Sequence, residues 1–506
     1  MAEYLTTIGL EVHAQLRTAS KMFCGCPAET HGAAAAGPNT LTCPICLGMP
    51  GTLPTVNAQA IELGLRTALA LHCTISPFSK FDRKNYHYPD LMKGYQISQY
   101  DLPLATDGWL DVPLAGGSQR VGIIRVHLEE DTARLLHRTE AEGPVSLIDV
   151  NRAGVPLMEI VSAPDITSPD EAVAYLVELR RILQYIGAST GNMEEGSFRC
   201  DANVSVRPLG QQAYGTRTEI KNMNSFRAVR RALEYEVPRQ IAVIEGGGRV
   251  VQETRGWSDE RAVTVSQRSK EEAHDYRYFP EPDLPPLTFT PVQIEAVRDA
   301  LPELPTARRE RMVAAYGLSR DDADLLTDAR PVADYYEAAV AAAQASGPAQ
   351  PERARSLANF VIHDLLKQVP DPAQISTLPL GPANLAELVA LVEEGVITIS
   401  QARALVPELA QSGDHPRQVV AARGLAQIRD TGALEQAVAE AIAANPKAVA
   451  DYLGGKTSAA KSLIGPVMRA TGGKANSQLV QAILQTHLDA LARQRAGDDA
   501  PGAPAL

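Results

Sequence analysis

Between Ile8 and Leu16 the chain alternates without a break: Ile8, Leu10, Val12, Ala14 and Leu16 are apolar, and Glu11, His13 and Gln15 stand between them. A period of two excludes an α-helix, whose faces repeat every 3.6 residues. The stretch is a strand with one apolar and one polar side. Glu11 and His13 share the polar side, a compact way to hold a cation or to position an acid and a base. The same pattern also fits the solvated outer face of an antiparallel sheet. The functional reading therefore depends on whether other segments bring further ligands to that face.

Three more stretches alternate in the same way. Val121 to Asp131 sets Arg125, His127 and Glu129 on one face and ends in the acidic trio Glu129, Glu130, Asp131. From Ser197 onward, Phe198, Cys200, Ala202, Val204 and Val206 point inward while Arg199, Asp201, Asn203, Ser205 and Arg207 point outward. Thr216 to Asn222 places Arg217, Glu219 and Lys221 together. Four polar strand faces carrying Glu, His, Asp, Arg and Lys, with few Ser or Thr spacers, read as the wall of an active-site bowl. Between the second and third strands lies a helix with Ser168 as N-cap, Pro169 at N1, Glu171 closing a capping box, and Gly187 as its end. Its single apolar stripe, Val173, Leu176, Val177, Leu179, Ile182, Leu183 and Ile186, packs it on the back of the sheet. Further helices are expected over 55–71 and 226–245.

Four of the six cysteines form two close pairs, Cys24 with Cys26 and Cys43 with Cys46. This spacing predicts a knob at 24–46 in which four thiolates bind a structural Zn2+, with the coordination shell closed by protein ligands; free thiols are the alternative. The chain has no run of about 18 apolar residues and no secretory signal at its start, which makes the cytoplasm the expected location and a membrane partner unexpected.

At 506 residues the chain exceeds one ordinary core. The proline-rich segment from Pro280 to Pro286 separates a strand-rich part from Ala-, Glu- and Leu-rich helical sequence. The expected domains are 1–292, 293–405 and 406–506. The net charge of −12 argues against binding nucleic acid through bulk charge. The tail inverts that balance: residues 447, 456, 461, 469, 474, 493 and 495 are Lys or Arg, against Asp451 and Asp489. Such a patch suits a phosphate backbone, and a solvated helical face is the competing reading. No phosphate-cradling loop is present: Gly455, Lys456 and Thr457 are preceded by Ala450 where a glycine is required. Any use of ATP would run through metal-binding carboxylates on a sheet.

Several long and unusual stretches, namely Ile8 to His13, Lys80 to Tyr86, Tyr95 to Gln99, His127 to Asp131, Met193 to Asn203 and Asp275 to Asp283, resemble the B subunits of bacterial aspartyl/glutamyl-tRNA(Asn/Gln) amidotransferases. The resemblance covers nearly the whole chain and is most specific before residue 290. It implies an α+β fold: an N-terminal antiparallel-sheet cradle domain similar to glutamine synthetase, then an all-helical domain and a small helical tail domain that contacts tRNA. It implies an ATP-dependent carbon–nitrogen ligase of protein biosynthesis. The side-chain carboxylate of Glu-tRNA(Gln) or Asp-tRNA(Asn) would be phosphorylated by ATP, then amidated by ammonia channelled from a glutaminase A subunit, with a small C subunit completing a heterotrimer.

The positions matching the family's Mg2+ region are Glu11, His13 and Glu130, with Glu129, Glu159 and Asp201 as further candidates. Strict alternation puts Glu129 rather than Glu130 on the His127 face, and a bulge at the strand end would reconcile the two. Lys84 matches the position at the channel mouth. Arg199 and Lys221 are candidates for charge neutralisation around phosphate. Lys456, Lys461, Arg469 and Lys474 are the tail candidates for tRNA. Met92 stands where the family often has proline. Two other function classes fit parts of the chain: a free-standing ATP-dependent carboxylate–amine ligase, and a non-catalytic tRNA-binding scaffold. The sequence shows no adenine-binding motif.

Overall fold

The computed structural model describes residues 3–28, 37–114, 116–140, 143–269, 276–345, 351–426, 431–471 and 475–498. The chain divides into two compact units, one ending at Ala307 and the other starting at Arg308. The division falls later than the proline-rich segment because Glu281 and Leu284 are packed into the first unit, Glu281 through a two-pronged ion pair with Arg83 at 2.7 and 2.8 Å.

The first unit is organised on a nine-stranded sheet. In chain order its strands are β1 (Tyr4–Gln15), β2 (Thr74–Ile75), β3 (Ala105–Leu114), β4 (Gly117–Glu130), β5 (Pro156–Ser162), β6 (Phe198–Pro208), β7 (Thr218–Met223), β8 (Glu253–Ser258) and β9 (Val263–Ser269). In space they run β9-β8-β7-β6-β1-β5-β4-β3-β2, so β1 is the central strand. All neighbours pair antiparallel except β7 and β8. Ile8, Leu10, Val12 and Ala14 are 0% exposed and form one core with the buried faces of α1 (Ala58–Ala70), α2 (Pro169–Tyr185) and α3 (Phe226–Glu245). The helices thus cover the apolar face of the central strands, and the other face of those strands carries the polar residues.

Local signals explain the helix ends. The helix expected over 55–71 begins at Ala58 because the Asn57 side chain accepts from the amides of Gln59 and Ala60 at 2.9 and 3.3 Å. At α2 the Ser168 hydroxyl accepts from the Glu171 amide at 3.2 Å. The Glu171 carboxylate does not return to the Ser168 amide; it takes the Thr167 amide at 2.7 Å and the Thr167 hydroxyl. The reciprocal closure is therefore displaced by one residue. The buried face of α2 also sits slightly round from the sequence stripe: Ala172 and Tyr175 are buried where Val173 and Val177 are half-buried.

The second unit is helical. One core gathers buried residues from Met312 to Val420, and a separate one gathers residues from Leu434 to Leu488. No helix among the described residues is long and apolar enough to cross a membrane.

Replacing Ser168 with alanine removes the side-chain acceptor of the Glu171 amide at the α2 amino terminus. It should lower the stability of the first unit by about 1 kcal/mol, measured by chemical denaturation.

Candidate functional site

The register of the central strands assembles the polar face row by row. Across β6, β1, β5 and β4 one row reads Arg199, His13, Glu159, His127. The adjoining row pairs Asp201 with Glu11. Glu129 lies two residues beyond His127 on β4 and therefore points to the same face. His13 Nε2 is 3.2 Å from Glu159 Oε2 and 3.6 Å from Glu129 Oε1. His127 Nε2 is 3.5 Å from a carboxylate oxygen of each. One ligand atom from each of His13, Glu129 and Glu159 falls within 4.8 Å of the others.

Such crowding is held together by cations arriving from outside the sheet. Lys84 sits among Tyr86 and Tyr276, with its Nζ 5.9 and 5.2 Å from their ring centroids. Burial opposes its charge, but Glu129 and Glu159 outweigh burial and raise its pKa. Burial likewise works against ionised Glu129; the His127 hydrogen bond and the charges of Lys84 and His13 win, and its pKa is lowered. Glu159 is held well below the usual carboxylate range, against its burial, by His127 and His13. His13 is raised despite burial, chiefly through its hydrogen bond to Glu159. The Ser98 hydroxyl donates to Glu129 at 3.0 Å.

A second anchor lies beside this cluster. Asp131 is buried and accepts from Arg199 at 2.9 Å and from the Gln15 amide group at 2.7 Å, with Arg152 at 3.6 Å. It fixes Arg199 along the rim of the cluster, and the buried Arg199 Nε has no acceptor among the described residues. Lys221 binds Asp201 at 2.7 Å and Glu219 at 3.2 Å. Asn203 donates to Glu11 at 2.8 Å. Next to Glu11 the face opens into a cleft of about 280 Å³, lined by Gly9, Ser162, Asn203, Tyr214 and Arg217 among others.

Of the six residues expected at the metal, the structure brings together His13, Glu129 and Glu159. Glu11 stands one row away against Asn203, and Asp201 is engaged by Lys221. Glu130 is not part of the cluster. No bulge interrupts β4 between His127 and Glu130, where pairing with β5 stays in step. Alternation therefore turns Glu130 to the opposite side, where it takes Lys93 Nζ at 2.6 Å and the Ile97 amide at 3.0 Å. Asp131 and the tyrosines around Lys84 escaped the sequence reading. The partners of Asp131 lie far from it in the chain, and Tyr276 comes from a segment that the pairing of Phe279–Pro280 with Arg83 and Asp82 brings in.

Two carboxylates and an imidazole converging on one point form part of a shell for a hard divalent cation, leaving room for water and phosphate oxygens. The four cysteines also converge, with one sulfur of each within 4.8 Å of the others. Cys43 Sγ and Cys46 Sγ are 3.9 Å apart. This matches the roughly 3.8 Å edge of a tetrahedron with zinc–sulfur arms of about 2.3 Å. The hydrogen bond with Cys24 lowers the Cys46 thiol to about 4 while raising that of Cys24. The donor set fits a structural zinc. In the second unit Lys456 is exposed, as are Lys461 and Arg469 on the helix Ala460–Ala470, whose Leu463 and Val467 face inward. Lys474 lies outside the described residues.

Residues 6–295 match the family model described as the GatB/GatE catalytic domain, and residues 334–488 match one described as the GatB domain. Three relatives are named as the B subunit of aspartyl/glutamyl-tRNA(Asn/Gln) amidotransferase. The protein of Moorella thermoacetica is 53% identical over 96% of this chain and 100% of its own length. That of Thermomicrobium roseum is 52% identical over 96% of this chain and 99% of its own. That of Carboxydothermus hydrogenoformans is 50% identical over the same shares.

The opposed faces of Glu159 and Glu130 give a direct test by isothermal titration with Mn2+. Glu159→Gln should weaken binding at the polar face about tenfold or more. Glu130→Gln should leave it within about twofold, because that carboxylate looks away from the cluster.

Proposed function

The chain belongs to the family of the GatB/GatE catalytic domain, and on that premise we propose that it is the B subunit of a tRNA-dependent amidotransferase. In this reading it works beside a glutaminase A subunit and a small C subunit, and it converts misacylated Glu-tRNA(Gln), Asp-tRNA(Asn) or both to the amide. The observation that carries the proposal is the convergence of His13, Glu129 and Glu159 beneath Lys84 on one face of a rigid sheet.

The chemistry asks for such a face. A carboxylate is a poor acyl donor because its oxygen is a bad leaving group. One oxygen of the substrate carboxylate attacks the γ-phosphorus of ATP and ADP departs. Ammonia then attacks the acyl carbon, phosphate leaves, and a proton from nitrogen is given up. Glu129, Glu159 and His13 would hold Mg2+, which neutralises phosphate charge and orients the γ-phosphoryl group. Arg199, braced by Asp131, offers its spare Nε–H to a phosphate oxygen. Lys84 orients the substrate carboxylate and offsets its charge. The donors are pre-set by Asp131 and the tyrosine wall, so little reorganisation accompanies the transfer.

The cleft at Gly9 is the place for the nucleoside. Gly9 and His13 are four residues apart on one strand, about 13 Å, a reach suited to an extended triphosphate. A Cβ on Gly9 would meet nothing closer than 3.9 Å and would project from the floor of the cleft. Exposed Lys456, Lys461 and Arg469 would meet the tRNA backbone.

The test is amidation by the reconstituted heterotrimer, with Asp-tRNA and Glu-tRNA assayed side by side. Glu129→Gln and Glu159→Gln should each cut amidation and tRNA-dependent ATP hydrolysis about a hundredfold or more, while glutamine hydrolysis by the A subunit persists. Unchanged ATP hydrolysis in both variants would leave this chain a tRNA scaffold. Turnover of a small carboxylic acid without tRNA would make it a free-standing ligase. Gly9→Val should raise the KM for ATP about tenfold without moving that for tRNA.

A further inference from the structure

Lys21 is one of the largest fully buried side chains of the first unit, at 0% exposure. Its ammonium has one hydrogen bond among the described residues, to the Val150 carbonyl at 3.4 Å, and no carboxylate within ion-pair distance. Glu130 flanks Gly154 as Lys21 does; its Oε1 takes Lys93 Nζ at 2.6 Å, which leaves one carboxylate charge between two lysines. A buried ammonium with so little compensation is strongly unfavourable unless an anion lies close by. The second source of negative charge beside Lys21 is the cysteine knob. The Lys21 amide bonds the Cys26 carbonyl at 2.9 Å. At Gly154 an added Cβ would sit 3.4 Å from Lys21 Cδ and 3.7 Å from Cys46 Cβ, so the lysine stem and Cys46 flank the same glycine.

We propose that the buried Lys21 ammonium is the built-in counter-charge of a four-thiolate zinc site formed by Cys24, Cys26, Cys43 and Cys46. Four thiolates around Zn2+ carry a net charge of −2, and the buried Cys46 takes part of that charge out of water. Lys21 removes half of that charge, and the thiolates in turn account for the lysine. The inference rests on the reading of the cysteines as a metal site. Lys21 is a positioning residue: it touches no substrate and binds no metal.

This pairing makes the size of one substitution's effect depend on metal content. Lys21→Met keeps the length and apolar stem but removes the charge. In zinc-loaded full-length protein it strips the counter-charge, so the melting temperature should fall and transfer of zinc to a colorimetric chelator should be at least about tenfold faster. In chelator-treated protein less negative charge faces the lysine, so the fall in melting temperature should be smaller. With Co2+ in place of zinc, the sulfur-to-cobalt charge-transfer band should move to lower energy, because the thiolates lose a neighbouring positive charge. Lys21→Gln should act in the same direction on zinc release and serves if the methionine variant does not fold. Lys21→Arg, which keeps the charge, should restore slow release.

Wild-type release rates in both neutral variants, or a melting shift as large without metal as with it, overturn the proposal while the metal site stands. A wild-type chain that takes up neither zinc nor cobalt overturns the metal site itself, and the counter-charge with it.

Discussion

Everything in the first unit depends on how the central strand is buried. Ile8, Leu10, Val12 and Ala14 are sealed under three helices, and a shift of one residue would expose all of them. That penalty fixes the register of β1 against β5 and β6. Fixing the register places His13 opposite Glu159 on one side and Arg199 on the other. The hydrophobic effect, which has no directionality of its own, thus sets a constellation of charged groups to within a hydrogen-bond length.

That constellation is electrostatically expensive. Glu129 and Glu159 approach the same imidazoles, and burial alone would push both toward protonation. They stay ionised because imidazoles and Lys84 surround them, and because Asp131 keeps the Arg199 guanidinium nearby. The groups around the carboxylates do the work that water would do at a surface, but without moving. The knob repeats the same arithmetic with opposite signs, a buried lysine set against thiolates.

Sequence periodicity revealed much of this and missed specific parts. The alternation of β1, β4, β6 and β7 is visible because each has one apolar and one polar face. β5 gives no such signal: all seven of its residues are buried, and Val155 to Val161 reads as an apolar run broken only by Glu159. Its place between β1 and β4 makes Glu159 a member of the cluster, and neighbour order in a sheet is a long-range property. Glu130 shows the converse. Local alternation argued against it, the match to family positions argued for it, and the unbulged pairing of β4 with β5 turns it to the far side. Asp131 could not be singled out because its partners, Gln15, Arg152 and Arg199, come from three separate parts of the chain.

The end of β4 therefore serves two sides of the sheet at once. Glu129 faces the imidazoles, and its neighbour Glu130 faces Lys93 and the side on which the cysteine knob lies. Deleting or adding a single residue upstream in this strand would turn Glu129 to the knob side and Glu130 to the imidazole side. The hairpin that follows, Arg134–Glu140 with Gly143–Asp149, has mostly exposed side chains, and its end meets the cysteine loop, where Asp149 Oδ1 accepts from the Asn39 amide at 3.1 Å.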